Sequence, residues 1–578
     1  MDQLMLSNQA IARGAWEAGV RVVSSYPGTP STEITEAAAK LHGPTMHVEW
    51  APNEKVALEV GAGASISGGR AMVCMKHVGL NVAADPLFTV AYTGVNGGLV
   101  IVVADDPAMH SSQNEQDSRF YARSAHIPML EPADSDEALR FTRMAFDLSE
   151  QYDTPVLIRT TTRVAHSQSV VRSMGERREV ALKPYVKDIA KYVMMPAQAK
   201  GRHVAVEARE NRLKRDANTL SINQLTLKGD QLGVICSGAV YQYVTEALPE
   251  ASVLKLGMVY PLPMDLIADF AKKVKRLVVV EELEPFFQDA ILAAGIPVEG
   301  KNLFSLQGEL SASIIAEKLG QPYPELVAEP LPARPPVLCP GCPHRATFYA
   351  IHKRKLKVTG DIGCYTLGAL APLSSIDACI CMGASVGMAH GMEKARGEAF
   401  GHEVVGVIGD STFIHSGITG LINAVYNQSG LTLVILDNST TGMTGHQEHP
   451  ATGKNIYELP APKLDLEQLV RAVGVKRVVT VDPYDLKAMD TALKEETESG
   501  EVSVIIARRP CALLDKSARK QPLTINAQAC KNCKSCLNLG CPAIENREGG
   551  LYINPALCNG CGLCTKVCPF HAIEEVQA

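Results

Sequence analysis

An excess of charge of one sign is missing from this 578-residue chain: 56 Lys and Arg stand against 62 Asp and Glu, a formal net charge of −6. Nothing global therefore advertises a nucleic acid or a membrane surface, and neither is expected as a partner. Long apolar runs are missing too. No stretch reaches the roughly 20 residues that span a bilayer. The start, Met1-Asp-Gln-Leu-Met-Leu-Ser7, has no basic region leading into an apolar one. The expectation is a cytoplasmic chain. What is present, 46% hydrophobic and 20% charged residues, is the composition of a globular protein of roughly three to four domains. Sixteen cysteines are many for such a chain. In a reducing compartment they suit metal better than disulfides, and eight of them crowd into the last fifty residues.

Helical and strand-like runs alternate through residues 1–180. Gln9 to Ala18 reads as a helix, Val20 to Ser24 as a strand, Glu54 to Ser67 as a helix, and Arg70 to Met75, Gly98 to Ala104 and Pro155 to Thr160 as strands. Such alternation predicts a doubly wound parallel sheet. Thr29, in the turn Tyr26-Pro-Gly-Thr-Pro-Ser31, reads by itself as a helix cap. Glu54, taken alone, reads as a solvated glutamate in a first helical turn, and the Gly/Ala-rich helix behind it permits close approach by a ligand or a second domain. Residues 181–229 form a connector, its stretch Lys183 to Lys214 mostly basic and expected as an exposed helix. A smaller α/β unit follows at 230–320, and six prolines between Gln321 and Val337 mark a semi-rigid linker. A further α/β domain is expected over 338–515.

That last domain holds the stretch that organises the chain. A β-rich run, Val404 to Ile408, leads into Gly409-Asp410-Ser411. An apolar helix-like run and a second strand, Leu431 to Leu436, then lead into Asp437-Asn438-Ser439-Thr440. Both ends fall at the carboxyl ends of parallel strands, where open α/β sheets bind ligands. Asp410, the Asn438 amide and nearby carbonyls are hard oxygen donors suited to Mg²⁺, which in turn grips a diphosphate. The pattern resembles the thiamine-diphosphate motif, Gly-Asp-Gly followed about thirty residues later by Asn, with Ser411 in place of the second Gly. Thiamine diphosphate needs a carboxylate at N1′ of its aminopyrimidine, and Glu54 is the candidate. His446, in Thr444-Gly-His-Gln447, is a candidate acid or base, beside His77 and His344; each reads equally as a hydrogen-bonded structural histidine.

The tail reads Cys530-x₂-Cys533-x₂-Cys536-x₄-Cys541-Pro and then Cys558-x₂-Cys561-x₂-Cys564-x₃-Cys568-Pro. Thiolates at this spacing wrap two [4Fe–4S] cubes, the last Cys of each run serving the other cluster. The expected sets are Cys530, Cys533, Cys536 and Cys568 for one, and Cys541, Cys558, Cys561 and Cys564 for the other. Cys339, Cys342, Cys364 and Cys511 remain open between core thiols, a zinc knot and a third cluster.

Together these motifs resemble the 2-oxoacid:ferredoxin oxidoreductases, and within them the large subunits of the indolepyruvate enzymes, over essentially the whole chain. The stretches that carry the resemblance are Tyr26-Pro-Gly-Thr-Pro30, Met75-Lys-His-Val-Gly-Leu-Asn81, Cys339-Pro-Gly-Cys-Pro-His-Arg345, Gly363-Cys-Tyr-Thr-Leu-Gly368 and the ferredoxin tail. The resemblance implies a fold class of several doubly wound α/β domains of thiamine-diphosphate-binding type with a C-terminal α+β two-cluster ferredoxin domain. In it, 1–180 binds the pyrimidine, 230–320 is transketolase-C-terminal-like, 338–515 binds diphosphate and Mg²⁺, and 520–578 is the ferredoxin. It places Thr29 against substrate, Glu54 on N1′, Asp410, Asn438 and the Thr440 carbonyl on Mg²⁺, and Cys339, Cys342, Cys364 and Cys511 on a third cluster. The activity it implies is oxidative decarboxylation of an arylpyruvate such as indolepyruvate with coenzyme A, electrons passing through the clusters to ferredoxin, in company with a small beta subunit. The pyruvate enzymes hold the substrate carboxylate with an Arg after the strand near residue 103. This chain has Ala104-Asp105-Asp106 there, so its anchor must differ.

Overall fold

The structure, a computed structural model, describes residues 2–41, 43, 45–324, 332 and 335–575. It divides into two compact units, Met1–Glu329 and Pro330–Ala578. Most of the proline-rich segment expected as a linker, residues 325–331, 333 and 334, lies outside the described residues.

The first unit is built on a seven-stranded sheet in the order Met258–Tyr260, Met129–Leu130, Val156–Thr161, Leu99–Asp105, Ala71–Lys76, Val22–Ser25, His47–Trp50. Its neighbours pair in parallel except at one edge, where Met258–Tyr260 runs antiparallel to Met129–Leu130. The strands Ala71–Lys76 and Leu99–Asp105 are buried along their whole length, which is why they read as apolar runs without alternation. The helix Glu54–Ile66 begins at Asn53, whose side chain accepts from the Val56 N–H at 2.9 Å. One purpose of its small residues is now plain: a Cβ at Gly61 would lie 2.5 Å from Val73 Cγ2, so the glycine lets the helix close on the sheet.

The edge strand Met258–Tyr260 belongs in sequence to the smaller α/β region. That region's own four-stranded sheet runs Arg276–Val279, Leu232–Ser237, Ser252–Leu256, Gln224–Thr226. It shares an apolar core with the first sheet, from Leu80 and Val103 to Phe270 and Phe287. Buried polar contacts reinforce the junction: Arg119 bonds Asp117 and Glu281, and Glu131, itself bonded by Arg159, accepts from Ser237 Oγ at 2.9 Å. Cys236 is buried and its thiol is pushed well above the ordinary range by burial, the state of an inert core cysteine.

The segment expected as an exposed connector packs back. Lys183 donates its N–H to Gly68 O at 3.1 Å, and the helix Pro196–Asp216 buries Val206, Arg209 and Leu213. The Arg209 guanidinium caps the Ala91 and Asp153 carbonyls at 3.0 and 2.9 Å, and burial lowers its pKa to about 10. Its basic face is exposed and its apolar stripe is covered, as in an ordinary surface helix.

The second unit carries a five-stranded parallel sheet in the order Lys357–Thr359, Val404–Gly409, Thr432–Asp437, Ser503–Arg508, Arg477–Val481. Its cysteine-rich end is held by two small antiparallel ribbons, Leu523–Ile525 with Ile573–Glu575 and Ile544–Arg547 with Gly550–Ile553. Ala346 and Tyr484 of the sheet domain are buried in one cluster with Leu539, Leu563 and Cys564 of that end. Among the described residues no helix is long and apolar enough to cross a membrane.

Candidate active site

In the first unit the carboxyl ends of the parallel strands gather the predicted residues. Thr29 follows the strand Val22–Ser25 and is partly buried, with Gly28 packed on Lys76: a Cβ at Gly28 would lie 3.2 Å from Lys76 Cβ. Glu54 opens its helix but is only 5% exposed, so the solvated reading of this carboxylate fails. It lies against Gly79, where a Cβ would come within 2.5 Å of its Oε1. His77 is 1% exposed, and neither ring nitrogen has a hydrogen-bond partner among the described residues. Lys76 is 8% exposed, and its ammonium donates to the Ser111 carbonyl. Burial draws its pKa down to about 8, with the charge of Asp106 opposing. The carboxylates that occupy the expected arginine's place are engaged. Asp105 accepts from Arg159 at 2.6 Å, and Asp106 accepts from Thr162 Oγ1 at 2.6 Å and Ser112 Oγ at 2.5 Å.

In the second unit the strand Val404–Gly409 delivers Asp410, and the strand Thr432–Asp437 delivers Asn438. Asp410 Oδ1 accepts from the Ser411 N–H at 2.9 Å and Oδ2 from the Ser439 N–H at 2.8 Å, which fixes the carboxylate across the two loops. Burial raises its pKa, opposed by His449, whose Nε2 lies 3.3 Å from Oδ2. His449 was not singled out in the sequence; nothing in the spacing from His446 marks it.

The amide end of Asn438 lies 2.8 Å from the Thr440 carbonyl oxygen and 3.2 Å from Asp410 Oδ1, and the amide oxygen is the atom placed there. Turning the amide would make these contacts N–H donations. A small divalent cation among the three oxygens would relieve the contacts between them, as turning the amide also does. Octahedral Mg²⁺ with oxygens at about 2.1 Å has oxygen–oxygen edges of about 3.0 Å. The donor set and its spacing therefore fit Mg²⁺, and Asp410, Asn438 and Thr440 are the residues that would hold it.

The same loop brings in the scattered cysteines. The Cys511 N–H donates to the Asn438 carbonyl at 3.0 Å, and a Cβ at Gly442 would touch both the Cys364 sulfur at 3.4 Å and the Asn438 amide at 3.5 Å. Burial raises the Cys342 thiol to about 12 and the Cys364 thiol to about 11; Cys339 adds to both, and Cys511 adds to Cys364. Burial and Cys511 raise Cys339 as well. Four residues spread over Cys339 to Cys511 thus share one neighbourhood. His446 stands there too, its Nε2 3.6 Å from Cys511 Sγ, and the backbone at His446 is left-handed, φ 69°. His344 is buried beside Tyr365, and burial lowers its pKa to about 4, leaving it neutral at physiological pH.

The tail cysteines separate into two cavities. Cys530, Cys533, Cys536 and Cys568 line one, with Ile525 and Ile573. Cys541, Cys558, Cys561 and Cys564 line the other, with Pro340, Gly341, Arg345 and Tyr484 of the sheet domain. The last Cys of each run has crossed to the other set, as the two-cluster spacing demands. Polar contacts tie the second cavity to the Cys339–Cys342 turn. Tyr484 Oη donates to Gly341 O at 2.8 Å, Arg345 Nη1 to Leu539 O at 2.7 Å and Asn559 Nδ2 to Pro340 O at 3.2 Å. Gly341, at φ +73°, has no room for a side chain: a Cβ would overlap Asn559 at 2.1 Å.

Comparison with known proteins gives the class. Residues 13–219 match a family model described as pyruvate flavodoxin/ferredoxin oxidoreductase, thiamine diP-binding. Residues 361–507 match the C-terminal TPP binding domain of thiamine pyrophosphate enzymes, and residues 551–574 a 4Fe-4S binding domain. Thiamine diphosphate and [4Fe–4S] clusters are thus the cofactors, and the class is that of the 2-oxoacid:ferredoxin oxidoreductases. Within it, the chain is 42% identical to the indolepyruvate oxidoreductase subunit IorA of Methanothermobacter thermautotrophicus, over 99% of this chain and 97% of that protein. The IorA subunit of Archaeoglobus fulgidus is 41% identical over the same shares. A 2-oxoglutarate:ferredoxin oxidoreductase structure from Magnetococcus marinus is similar at 18% identity over 55% of this chain and 65% of that one, with a TM-score of 0.48. The chain belongs to the family of indolepyruvate oxidoreductase IorA subunits.

Proposed function

We propose that this chain catalyses oxidative decarboxylation of an arylpyruvate, indolepyruvate being the type substrate, to CO₂ and an arylacetyl-coenzyme A, with electrons leaving to ferredoxin. Bound thiamine diphosphate supplies the electron sink that lets CO₂ depart, and the clusters take up electrons singly. The residues do the rest. Glu54 would hold N1′ of the aminopyrimidine and favour its imino tautomer. Asp410, Asn438 and the Thr440 carbonyl hold Mg²⁺ against the diphosphate. Cys339, Cys342, Cys364 and Cys511 ligate a third [4Fe–4S] cluster.

The observation that carries the oxidative reading is the Cys511 N–H bonded to the Asn438 carbonyl. It sets a cysteine cluster on the cofactor loop itself, and the Cys339–Cys342 turn is bonded to the wall of the tail cavity. Those contacts support a relay from the third cluster to the Cys541 set and on to the Cys530 set, where Cys533 is exposed. The aryl side chain is supported by the names of the IorA relatives and by Asp105 and Asp106 standing where pyruvate enzymes carry an arginine. The relatives are named as subunits, which supports a small partner subunit.

The test is thiamine-dependent reduction of a dye by the chain with its partner subunit, given coenzyme A and, in parallel, indolepyruvate, pyruvate or 2-oxoglutarate. The expected order places indolepyruvate first by kcat/KM. A preference for pyruvate or 2-oxoglutarate sinks the aryl reading, and turnover without coenzyme A or an electron acceptor sinks the oxidative one.

A further inference from the structure

We propose that the Lys76 ammonium holds the carboxylate of the 2-oxoacid substrate. This rests on the 2-oxoacid chemistry of the family and not on the aryl side chain. The reaction needs a cation there, and the arginine of the pyruvate enzymes is absent. Three arginines near the carboxyl end of the first sheet are already paired. Arg159 is 3% exposed and bonds Asp105 and Glu131, both at 2.6 Å. Arg119 is 1% exposed and bonds Asp117 and Glu281. Arg163 forms a bidentate pair with Glu309 at 2.9 and 2.7 Å. Each is already neutralised by carboxylates and sits in a geometry that a substrate would have to break.

Lys76 differs. It ends the strand Ala71–Lys76, packs against Gly28 beside Thr29, and lies three residues before the Gly79 that touches Glu54. Its side chain is buried, and among the described residues no carboxylate comes within ion-pair distance of Nζ. The charge of Asp106 acts on the ammonium without an ion pair, its oxygens being hydrogen-bonded by Ser111, Ser112 and Thr162. A buried ammonium with one carbonyl partner has donors to spare, and a buried charge without a partner is costly. Beside it, His77 is buried with both ring nitrogens unpaired. An unpaired imidazole and an ammonium with donors to spare thus sit on the one segment that packs on Gly28 and carries Gly79 against Glu54, polar groups that the core does not use. A carboxylate arriving at Lys76 supplies the missing counter-charge.

The experiment uses the assembled enzyme, loaded with thiamine diphosphate, as wild type, Lys76→Met and Lys76→Arg. Two readouts are taken: KM and kcat for the best 2-oxoacid at pH values from about one and a half units below to one and a half units above the wild-type lysine's midpoint near 8, and the affinity of an unreactive carboxylate, 3-indolepropionate, against its neutral amide. Lys76→Met should raise KM roughly ten- to a hundredfold, the scale of a lost charge-assisted hydrogen bond, with a smaller change in kcat. It should also bind acid and amide alike. Lys76→Arg should restore the preference for the acid. Wild-type KM should climb as pH passes about 8, where the lysine loses its proton, and that climb should vanish in Lys76→Arg. Retained preference for the acid in Lys76→Met overturns the proposal. If that variant does not fold, wild-type enzyme that binds 3-indolepropionate no more tightly than its amide at pH 7 overturns it instead. If the best substrate proves not to be an arylpyruvate, the aryl reading falls, and Lys76 is judged on the acid that is turned over with its own unreactive carboxylate.

Discussion

Replacing Gly79 by alanine separates the position of Glu54 from the stability of the fold. A Cβ at Gly79 would stand 2.5 Å from Glu54 Oε1, 2.7 Å from Cγ and 2.8 Å from Cδ. An ordinary carbon–oxygen contact is about 3.3 Å, so the carboxylate must retreat by roughly 0.8 Å. Gly79 sits inside the short helix His77–Val82 and is not among the glycines with positive φ, so alanine meets no backbone objection. Helix propensity even favours it by up to about 1 kcal/mol. The fold should therefore hold while the carboxylate is displaced. Misplacement on that scale costs roughly a hundredfold in rate when the displaced group positions a reacting centre. Glu54→Gln, which keeps the shape and removes the charge, should cost a similar factor or more. The assay is thiamine-dependent dye reduction at saturating cofactor, with circular dichroism and iron content as controls. A Gly79→Ala enzyme with wild-type kcat would refute the reasoning, because it would mean that Glu54 can move without consequence.

Asp410→Ala removes a charge and a ligand position from the cation site; the variant should fail to retain thiamine diphosphate by mass analysis while its iron–sulfur absorption is unchanged, and undiminished cofactor content counts against the site. Cys511→Ser, prepared anaerobically, should lower iron from about twelve to about eight atoms per chain if the third cluster exists; equal iron in both proteins ends that assignment. Lys76→Met should stabilise the free protein at pH 7 while weakening substrate binding. The folded pKa of Lys76 is about 8 against an ordinary 10.5, so the folded state holds fewer protons between those values. Stability therefore rises with pH across that window, and the penalty, about 3 kcal/mol, is fully present below pH 8. The first thermal transition should move up by a few degrees in the variant at pH 7 and converge with wild type near pH 10.5, the ordinary lysine value; an unchanged transition at pH 7 contradicts a buried, unpaired ammonium.

The sequence by itself determined a good deal. The strands Ala71–Lys76 and Leu99–Asp105 fall within one residue of expectation, because apolar runs this long can be satisfied only inside a covered parallel sheet. The two sets of tail cysteines were legible because three ligands of each cluster lie within a few residues of one another and the fourth ends the other run, so spacing alone encodes the sets. Tertiary structure decided whatever depends on residues far apart. Burial turned Glu54 from a first-turn glutamate into a carboxylate wedged on Gly79, and no local pattern contains that contact. The strand Met258–Tyr260 joins a sheet more than a hundred residues upstream, so two regions that read as separate domains form one unit. Packing folded the basic connector helix back through Arg209. Cys511 reaches Asn438 only because the parallel strands Thr432–Asp437 and Ser503–Arg508 end together. Lys76 was quoted in a motif without a role, since a lysine's function depends on whether a carboxylate has already claimed it, and that is settled by the packing around the strand end.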